Sequence, residues 1–215
     1  NQAMATTNKD KWLVAVEEEH QRMVDHKVFQ PVPIEDMPKG AKVLTSTWAM
    51  KKKASGTFRA RLNARGYEQV DGEHYDEDDK AAPVVSEATI RIVFILICMM
   101  GLHAELLDVR GAFLHGDFEK NRKVYMHVPQ GMEHHYPKNH VLLLLKTLYG
   151  TKQAAIAFWR KLVDAFMKMF FSKSKTDPCL YFTWTMFGLI LWLSWVDDCL
   201  VAGKEQGVFY AKKEM

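Results

Sequence analysis

A run of 18 uncharged residues, from Cys179 to Val196, most constrains how this 215-residue chain can fold. Its length is close to that of a membrane-spanning helix, which needs about 20 predominantly apolar residues. However, the run also contains polar residues, a glycine and many aromatic side chains, and this composition is typical of β-strands. A β-hairpin that turns at Thr185-Met186-Phe187-Gly188 explains the glycine and the aromatic enrichment better than a membrane span does. We therefore expect two buried strands here and no membrane span.

Two adjacent carboxylates, Asp197 and Asp198, follow this run directly. A third carboxylate, Asp108, ends a short apolar segment that is predicted as a strand over residues 104–109. Carboxylates at the ends of buried strands lose hydration, and they repel one another when they come close. A divalent cation such as Mg²⁺ compensates for this, because carboxylate oxygens are hard ligands. Taken alone, the Asp197-Asp198 pair is more commonly explained by an ordinary turn, in which aspartate is frequent.

The basic residues are clustered, although the net charge of the chain is only +3. The sequence Ala54-Ser55-Gly56-Thr57 separates two segments with strand character, residues 43–53 and 58–64, and therefore predicts a β-hairpin. A basic hairpin can contact phosphates, although a solvated basic face is the commoner explanation. The clustered residues, which no acid interrupts, are Lys51, Lys52, Lys53, Arg59, Arg61 and Arg65.

Three helices are predicted from apolar spacing and from capping signals. Residues 8–26 predict an exposed helix with one apolar side. Residues 86–100 begin with a serine cap and end before Gly101, and their apolar body predicts a buried helix. Residues 152–171 carry an apolar stripe at helical spacing. Helices and hairpins together indicate an α+β fold. The stripe consists of Ala155, Phe158, Trp159, Leu162, Phe166, Met169 and Phe170.

A series of short motifs follows the chain almost from end to end. They include TWAMKKK, ARLNARGY, LDVRGAFLHG, LYGTKQA and WVDD, which occupy residues 47–53, 60–67, 107–116, 148–154 and 195–198. In this order they resemble the motifs of the reverse transcriptase of copia-type LTR retrotransposons. Smaller similarities occur at residues 11–17, 82–84, 124–126 and 129–131.

The resemblance implies a right-hand polymerase fold, with palm and fingers and an antiparallel palm sheet backed by helices. It divides the chain into fingers-like residues 1–83, palm residues 84–115 with the first catalytic aspartate, a connecting segment at 116–148, and palm residues 149–215 with the helix and the aspartate hairpin. The chain stops at Met215, so the thumb and the RNase H domain of the family are not expected in it.

The resemblance also implies the catalytic residues. Asp108, Asp197 and Asp198 match the palm carboxylates of an RNA-directed DNA polymerase that uses two-metal phosphoryl transfer. Asp108 and Asp197 are expected to hold Mg²⁺, with assistance from the carbonyl group of Val109. Asp198 is expected to lie nearer the primer end.

Six further positions match nucleotide-binding residues of the family. Lys53 and Arg61 are expected to grip the triphosphate. Phe113 matches the side chain that stacks under the incoming sugar, although it could equally be a core phenylalanine. The remaining positions are expected to pack against the nascent base pair, and the glycine among them also fits a plain turn. These remaining positions are Tyr149, Gly150 and Gln153.

The partners that the resemblance implies are an RNA or DNA template with its primer, deoxynucleoside triphosphates and the rest of a Pol polyprotein. Its implied location is a cytoplasmic virus-like particle, with the nucleus as a second compartment. Departures from the family motifs, among them Asn63, Thr151 and Trp195, keep open an alternative. In that alternative the chain is a catalytically silent remnant of the fold that binds nucleic acid or another protein.

Several histidines raise the question of a zinc site. His127, His134-His135 and His140 occur close together in the sequence. Their spacing does not match that of zinc ligands, and they fall in a loop-like stretch. The sequence therefore does not predict a zinc site.

Overall fold

The structure is a computed structural model that describes residues 7–119 and 122–214. Residues 1–6, 120–121 and 215 lie outside the described residues. They include the start of the expected fingers-like segment 1–83, two residues of the connecting segment 116–148 and the end of the palm segment 149–215. The chain divides into two compact units. Unit 1 comprises residues 1–80 and 113–157, and unit 2 comprises residues 81–112 and 158–215.

Unit 1 contains a long helix, a four-stranded sheet and a separate β-hairpin. Its helices and strands are α1 (Lys9–Asp25), β1 (Phe29–Pro33), β2 (Val43–Leu44), β3 (Ser46–Lys52), β4 (Phe58–Ala64), β6 (Val124–His127) and β7 (His140–Leu144). The sheet has the order β1-β7-β6-β2, in which only β2 and β6 run parallel. Strands β3 and β4 form the antiparallel hairpin. This confirms the hairpin predicted from the sequence, except that Val43 and Leu44 belong to the larger sheet.

Helix α1 packs against β4 through the apolar side that the sequence predicts. Its side chains recur three or four positions apart, so they lie on one face of the helix. The Trp12 ring contacts the Phe58 ring edge-on, with 4.6 Å between centroids. Fully burying an apolar side chain such as Met23 contributes about 1.5–3 kcal/mol. The buried residues of α1 are Trp12, Ala15, Val16, Glu19, His20 and Met23.

Unit 2 contains an antiparallel five-stranded sheet with helices. Its elements are α2 (Glu87–Met100), β5 (His103–Asp108), most of α3 (Ala154–Lys168), β8 (Ser172–Lys173), β9 (Leu180–Thr185), β10 (Gly188–Trp195), β11 (Asp198–Gly203) and α4 (Glu205–Glu214). The strand order is β5-β11-β10-β9-β8. One face of the sheet carries Leu191 and Ala202 and packs against Val93 of α2. The opposite face carries Trp192, which packs against Phe166 of α3.

The uncharged run forms the β9–β10 hairpin, as predicted. Thr185 and Gly188 are paired at its turn, and the Thr185 hydroxyl donates to the Gly188 carbonyl at 3.1 Å. Gly188 has a φ of 103°, a conformation that glycine adopts at no steric cost. No helix among the described residues has both the length and the apolar character needed to cross a bilayer.

Helix α2 has the predicted caps but not the predicted burial. The Thr89 N–H donates to the Ser86 hydroxyl at 3.1 Å, and Gly101 ends the helix in the left-handed conformation. Of the helix residues only Val93 is buried, whereas Met99 is 79% exposed. The prediction of a buried helix was therefore wrong. The apolar residues of α2 lie on all sides of the helix, and the sheet covers only one of those sides.

Helix α3 ends earlier than the predicted residue 171. Its last residue is Lys168, and Phe170 adopts a positive φ of 61°. The Phe171 N–H then donates to the Phe166 carbonyl at 2.9 Å, which closes the helix end. As a result Phe171 enters the core, whereas Phe170 is 88% exposed and does not extend the apolar stripe.

The three cysteines are free thiols in different surroundings. Cys98 is exposed on α2, whereas Cys179 and Cys199 are buried. Burial raises the pKa of both buried thiols to about 11. The thiolate is the reactive form, so neither buried cysteine should react readily near neutral pH.

Iodoacetamide is therefore expected to modify Cys98 alone in the folded chain at about pH 8, close to the usual thiol pKa of about 8.5. Intact-mass spectrometry should show one adduct under native conditions and three in denaturant. A Cys98→Ser variant should show none until it is unfolded. Alkylation of Cys199 at a rate comparable to that of Cys98 would contradict the buried position of β11.

Candidate active site

Two of the predicted carboxylates face each other at one end of the unit 2 sheet. Asp108, the last residue of β5, is paired with Asp198, the first residue of β11. The Val109 N–H donates to the Asp197 carbonyl at 3.0 Å, which makes Val109 and Asp197 a hydrogen-bonded pair. Hydrogen-bonded and non-hydrogen-bonded pairs alternate along antiparallel strands, so the adjacent pair of Asp108 and Asp198 is not hydrogen-bonded. Cα atoms of such a pair lie about 4.5 Å apart, with both side chains on one face of the sheet. The fold thus brings together two acids from distant parts of the sequence.

The third carboxylate, Asp197, lies in the two-residue turn that joins β10 to β11. The first turn residue, Val196, has a φ of 54°, whereas the φ of Asp197 is not positive. This is the pattern of a type II′ hairpin turn. A left-handed conformation costs a residue with a side chain about 1–2 kcal/mol. Backbone strain of this kind is concentrated at functional sites in proteins.

A depression of about 600 Å³ adjoins the paired carboxylates. Its lining includes Ile90 and Phe94 of α2, together with Leu106 and Trp195 of the sheet. Trp195 is paired with Asp198 across the hairpin, so the two side chains share a face, and Trp195 is 56% exposed. The acids therefore lie beside an open apolar surface that a large ligand can reach.

The donor groups at this strand end are of the type that a divalent cation such as Mg²⁺ prefers, but the three carboxylates, all of them among the described residues, do not all lie within 4.8 Å of one another. Like charges directly opposite each other destabilise a strand pair, and a cation between them removes the repulsion. The Val109 carbonyl accepts a hydrogen bond from the Ala112 N–H at 3.2 Å, and a carbonyl oxygen has a second lone pair for a metal. Carboxylates and a carbonyl group are the ligands that suit Mg²⁺, Ca²⁺ or Mn²⁺.

A second group of predicted residues lies on the β3–β4 hairpin of unit 1. Ala49 is paired with Arg61 and Lys51 with Arg59, and the Lys53 N–H donates to the Thr57 carbonyl at 2.9 Å. Because paired residues share a face and faces alternate along a strand, one face of the hairpin is basic. The opposite face supplies Leu62 to the core. The basic face carries Lys51, Lys53, Arg59 and Arg61.

Three of the predicted nucleotide-binding side chains contact one another in unit 1. The Arg61 guanidinium lies over the Tyr149 ring, 4.9 Å from its centroid. The Phe113 ring meets the Tyr149 ring edge-on at 5.2 Å. The Nε atom of Arg61 is buried and has no hydrogen-bond partner among the described residues. We call Arg61, Tyr149 and Phe113 the aromatic–arginine cluster.

Lys53 does not belong to the aromatic–arginine cluster. It is exposed at the far end of the hairpin, where it is opposite Thr57. Since Arg61 is four positions beyond Thr57, the two basic residues lie about 13 Å apart along the strands. The Lys51–Arg59 pair lies between them on the same face.

Gly150 makes a close backbone contact with the end of β4. It has a φ of 87°, and a Cβ atom built there would lie 2.2 Å from the Ala64 carbonyl oxygen. Gly66 has no separate role in the sequence-based prediction, yet a Cβ atom there would lie 2.0 Å from the Gly150 carbonyl oxygen. The Ala64 N–H also donates to the Tyr149 carbonyl at 2.8 Å. The two glycines therefore let the end of β4 contact the 149–151 loop, backbone to backbone.

The side-chain amide of Gln153 has partners within unit 1. Its Nε2 donates to the His74 carbonyl at 2.9 Å, and its Oε1 accepts from Gln69 at 3.0 Å. Gln69 in turn accepts from the Lys152 N–H at 2.7 Å. Sequence reasoning missed Gln69, because its partners are about 80 positions away and no local pattern marks it. These bonds hold the loop that carries Tyr149 and Gly150.

Comparison with known proteins gives a consistent family. Residues 26–215 match the sequence model of the family described as reverse transcriptase (RNA-dependent DNA polymerase). The chain is 35% identical over 214 residues to the retrovirus-related Pol polyprotein from transposon TNT 1-94 of Nicotiana tabacum. That alignment covers 96% of this chain and 16% of the polyprotein.

Two further comparisons involve more distant proteins. The Pol polyprotein from transposon RE1 of Arabidopsis thaliana is 29% identical over 208 residues, which cover 94% of this chain and 14% of that protein. Among solved structures, a foamy viral protease-reverse transcriptase in complex with double-stranded DNA aligns with a TM-score of 0.45 at 10% identity, over 95% of this chain and 28% of that chain. The chain thus spans about a sixth of the length of its polyprotein relatives. On the family match over residues 26–215 and the identity to the tobacco polyprotein, this chain belongs to the reverse transcriptase family of retrotransposon Pol polyproteins.

Proposed function

We propose that this chain carries the catalytic centre of RNA-templated DNA synthesis within a Pol polyprotein. The observation that supports this most directly is the pairing of Asp108 with Asp198, with Asp197 in the adjoining turn. Family membership indicates the class of reaction, and the paired acids are the proposed location of the catalytic centre. Reverse transcriptases generally use divalent metal ions.

In this proposal the metal is Mg²⁺, held by the carboxylates of Asp108 and Asp197 and by the Val109 carbonyl. When bound, two such ions would supply activation of the primer 3′-hydroxyl and stabilisation of the leaving pyrophosphate. Asp108 lies at the end of β5, and Asp197 lies in the turn between β10 and β11. Asp198 is assigned to the side nearer the primer end.

The proposed roles in unit 1 concern the incoming deoxynucleoside triphosphate. Arg61, stacked on Tyr149, presents a planar fork that matches two phosphate oxygens. Lys53 contributes a mobile point charge further along the hairpin. Phe113 is assigned to the sugar, where its ring would clash with a ribose 2′-hydroxyl. Gly150 and Gln153 shape the loop that is assigned to the nascent base pair.

The wider context also follows from the family. We propose that residues 1–83 act as fingers, residues 84–115 and 149–215 as palm, and residues 116–148 as the connection. The proposed partners are an RNA or DNA template with its primer, deoxynucleoside triphosphates and the remaining parts of Pol. The proposed location is a cytoplasmic virus-like particle, with access to the nucleus.

Primer extension tests the proposal. A labelled DNA primer annealed to an RNA template should be extended by the chain when the four deoxynucleoside triphosphates and Mg²⁺ are present, and EDTA should stop the extension. A folded chain that binds the primer–template but adds no nucleotide would overturn the proposal. That result would instead favour a silent nucleic-acid-binding remnant, for which the basic face of the hairpin provides a surface.

The hairpin roles give a separate prediction. Arg61→Ala is expected to weaken deoxynucleoside triphosphate binding by about 10- to 100-fold, since a hydrogen bond to a charged group contributes about 1.5–3 kcal/mol. Lys53→Ala should have a smaller effect in the same direction. Lys52→Ala is the matched control, because its side chain lies on the opposite face of the hairpin, over the Phe58 ring. Nucleotide titration by fluorescence measures all three, and an Arg61→Ala variant that binds like Lys52→Ala would refute the role.

A further inference from the structure

A group of metal-ligating side chains lies in unit 1, apart from the aromatic–arginine cluster and the basic hairpin. The Nε2 atom of His134 is 3.3 Å from one carboxylate oxygen of Glu17, and the Nε2 atom of His135 is 2.8 Å from the other. The three ligand atoms all lie within 4.8 Å of one another. We call these residues the histidine–glutamate cluster. It joins α1 to a short helical turn, Glu133–His135.

Buried neighbours hold both sides of this cluster in place. Val16, which precedes Glu17, is 2% exposed, and Met132, which precedes the turn, is 1% exposed. On the other side of the turn, the Tyr136 hydroxyl is 2.7 Å from the His20 Nε2 atom. The His20 ring also stacks on the His135 ring, with 4.2 Å between centroids. These neighbours support the backbone at Glu17 and the ring of His135, whereas the His134 side chain is 61% exposed.

The donor set is chemically different from that of the paired aspartates. Two imidazole nitrogens and one carboxylate oxygen suit a borderline metal such as Zn²⁺, whereas all-oxygen sets suit Mg²⁺. In a tetrahedral zinc site with bonds of about 2.0–2.1 Å, neighbouring ligand atoms lie about 3.3 Å apart. The contact between His134 and one oxygen of Glu17 already has this length, and all three ligand atoms lie within 4.8 Å of one another.

We propose that Glu17, His134 and His135 form a Zn²⁺ site that clamps helix α1 to the 133–135 turn. Three protein ligands leave a fourth position for water. Sequence reasoning did not predict this site, because it sought ligand spacing among the histidines alone and Glu17 lies more than a hundred positions away. His127 and His140 are not part of the cluster. The alternative is a pair of plain hydrogen bonds from the imidazoles to the carboxylate.

Calorimetric titration of the untagged chain with Zn²⁺ tests the proposal. The titration uses a Cys98→Ser background and excess Mg²⁺, so that the exposed thiol and the aspartate site do not take up zinc. One equivalent of Zn²⁺ should bind. Glu17→Gln and His134→Ala should each weaken binding at least about tenfold, because even changes to groups that only support metal ligands cost about 10- to 100-fold in metal affinity. His127→Ala, which removes an exposed histidine outside the cluster, should bind zinc like the parent chain.

Thermal unfolding provides a second measurement that does not depend on activity. Zn²⁺ should raise the Tm of the parent chain and of His127→Ala, and should leave that of Glu17→Gln unchanged. Circular dichroism without metal shows whether each variant is folded. The proposal fails if no zinc binds, or if folded Glu17→Gln and His134→Ala chains bind zinc as tightly as the parent, and the cluster is then a hydrogen-bonded contact only.

Discussion

Asp197→Asn is expected to reduce primer extension at least about a hundredfold, because even changes to groups that only support metal ligands cost about 10- to 100-fold. Asparagine keeps the size of the side chain and is well tolerated in turns, so the β10–β11 hairpin should remain intact. It removes the negative charge that is proposed to hold Mg²⁺. Asp108→Asn should have a similar effect, since Asp108 is the other carboxylate that is proposed to hold Mg²⁺. Extension rates at saturating nucleotide, measured on an RNA template, give the comparison.

Asp164→Asn is the matched control for both substitutions. It makes the same change of charge at an exposed position of helix α3 in the same unit, and extension should be unaffected. Thermal unfolding of each variant separates a loss of chemistry from a loss of structure. An Asp197→Asn chain that still extends the primer would remove Asp197 from the catalytic group. Mn²⁺ binding, measured by proton relaxation, tests the metal ligands independently of extension, and Asp108→Asn should again bind more weakly than Asp164→Asn.

The positions of these acids could be predicted from the sequence because the signals are local. The uncharged run from Cys179 to Val196 has the composition of paired strands, and Thr185 to Gly188 has the composition of a turn. Asp197 and Asp198 follow the run immediately, so they must lie at the end of the hairpin. Only the partner strand had to come from motif resemblance, which indicated Asp108. The register of β5 against β11 agrees with that expectation.

Other structural features could not be predicted from the sequence, because they depend on long-range packing and on the backbone conformation of single residues. The composition of α2 suggests burial on all sides, yet the sheet covers one side only. Helix α3 ends at a left-handed Phe170. Glycine or asparagine usually marks such a conformation in a sequence, and neither is present at this position. The contact between Glu17 and His135 joins residues 118 positions apart. Long-range contacts between single side chains leave no periodic pattern in a sequence.

Substitution of Gly150, whose backbone contacts the end of β4, is expected to cause a large loss of unfolding free energy in unit 1. Gly150→Ala places a Cβ atom 2.2 Å from the Ala64 carbonyl oxygen, at a φ of 87°. Both groups are part of the backbone, so the 149–151 loop must move away from β4 and lose the bond between the Ala64 N–H and the Tyr149 carbonyl. Strain of about 1–2 kcal/mol and the clash together should cost at least about 3 kcal/mol of unfolding free energy. The Tm should fall by about 6–12 °C for a chain of this length.

Two other glycines separate the strain from the clash. Gly56 has a φ of 83° but nothing within 4 Å of the position that a Cβ atom would take, so Gly56→Ala measures strain alone and should cost about 1–2 kcal/mol. Gly66 has no positive φ but would place its Cβ atom 2.0 Å from the Gly150 carbonyl oxygen, so Gly66→Ala measures the clash alone. Unfolding free energies should therefore fall least for Gly56→Ala, more for Gly66→Ala and most for Gly150→Ala. Equal losses at Gly150 and Gly56 would show that the loop and β4 are not in backbone contact. Tyr149 precedes Gly150, and its ring contacts the Arg61 guanidinium. Gly150→Ala should therefore also weaken nucleotide binding, whereas Gly56→Ala should leave it unchanged.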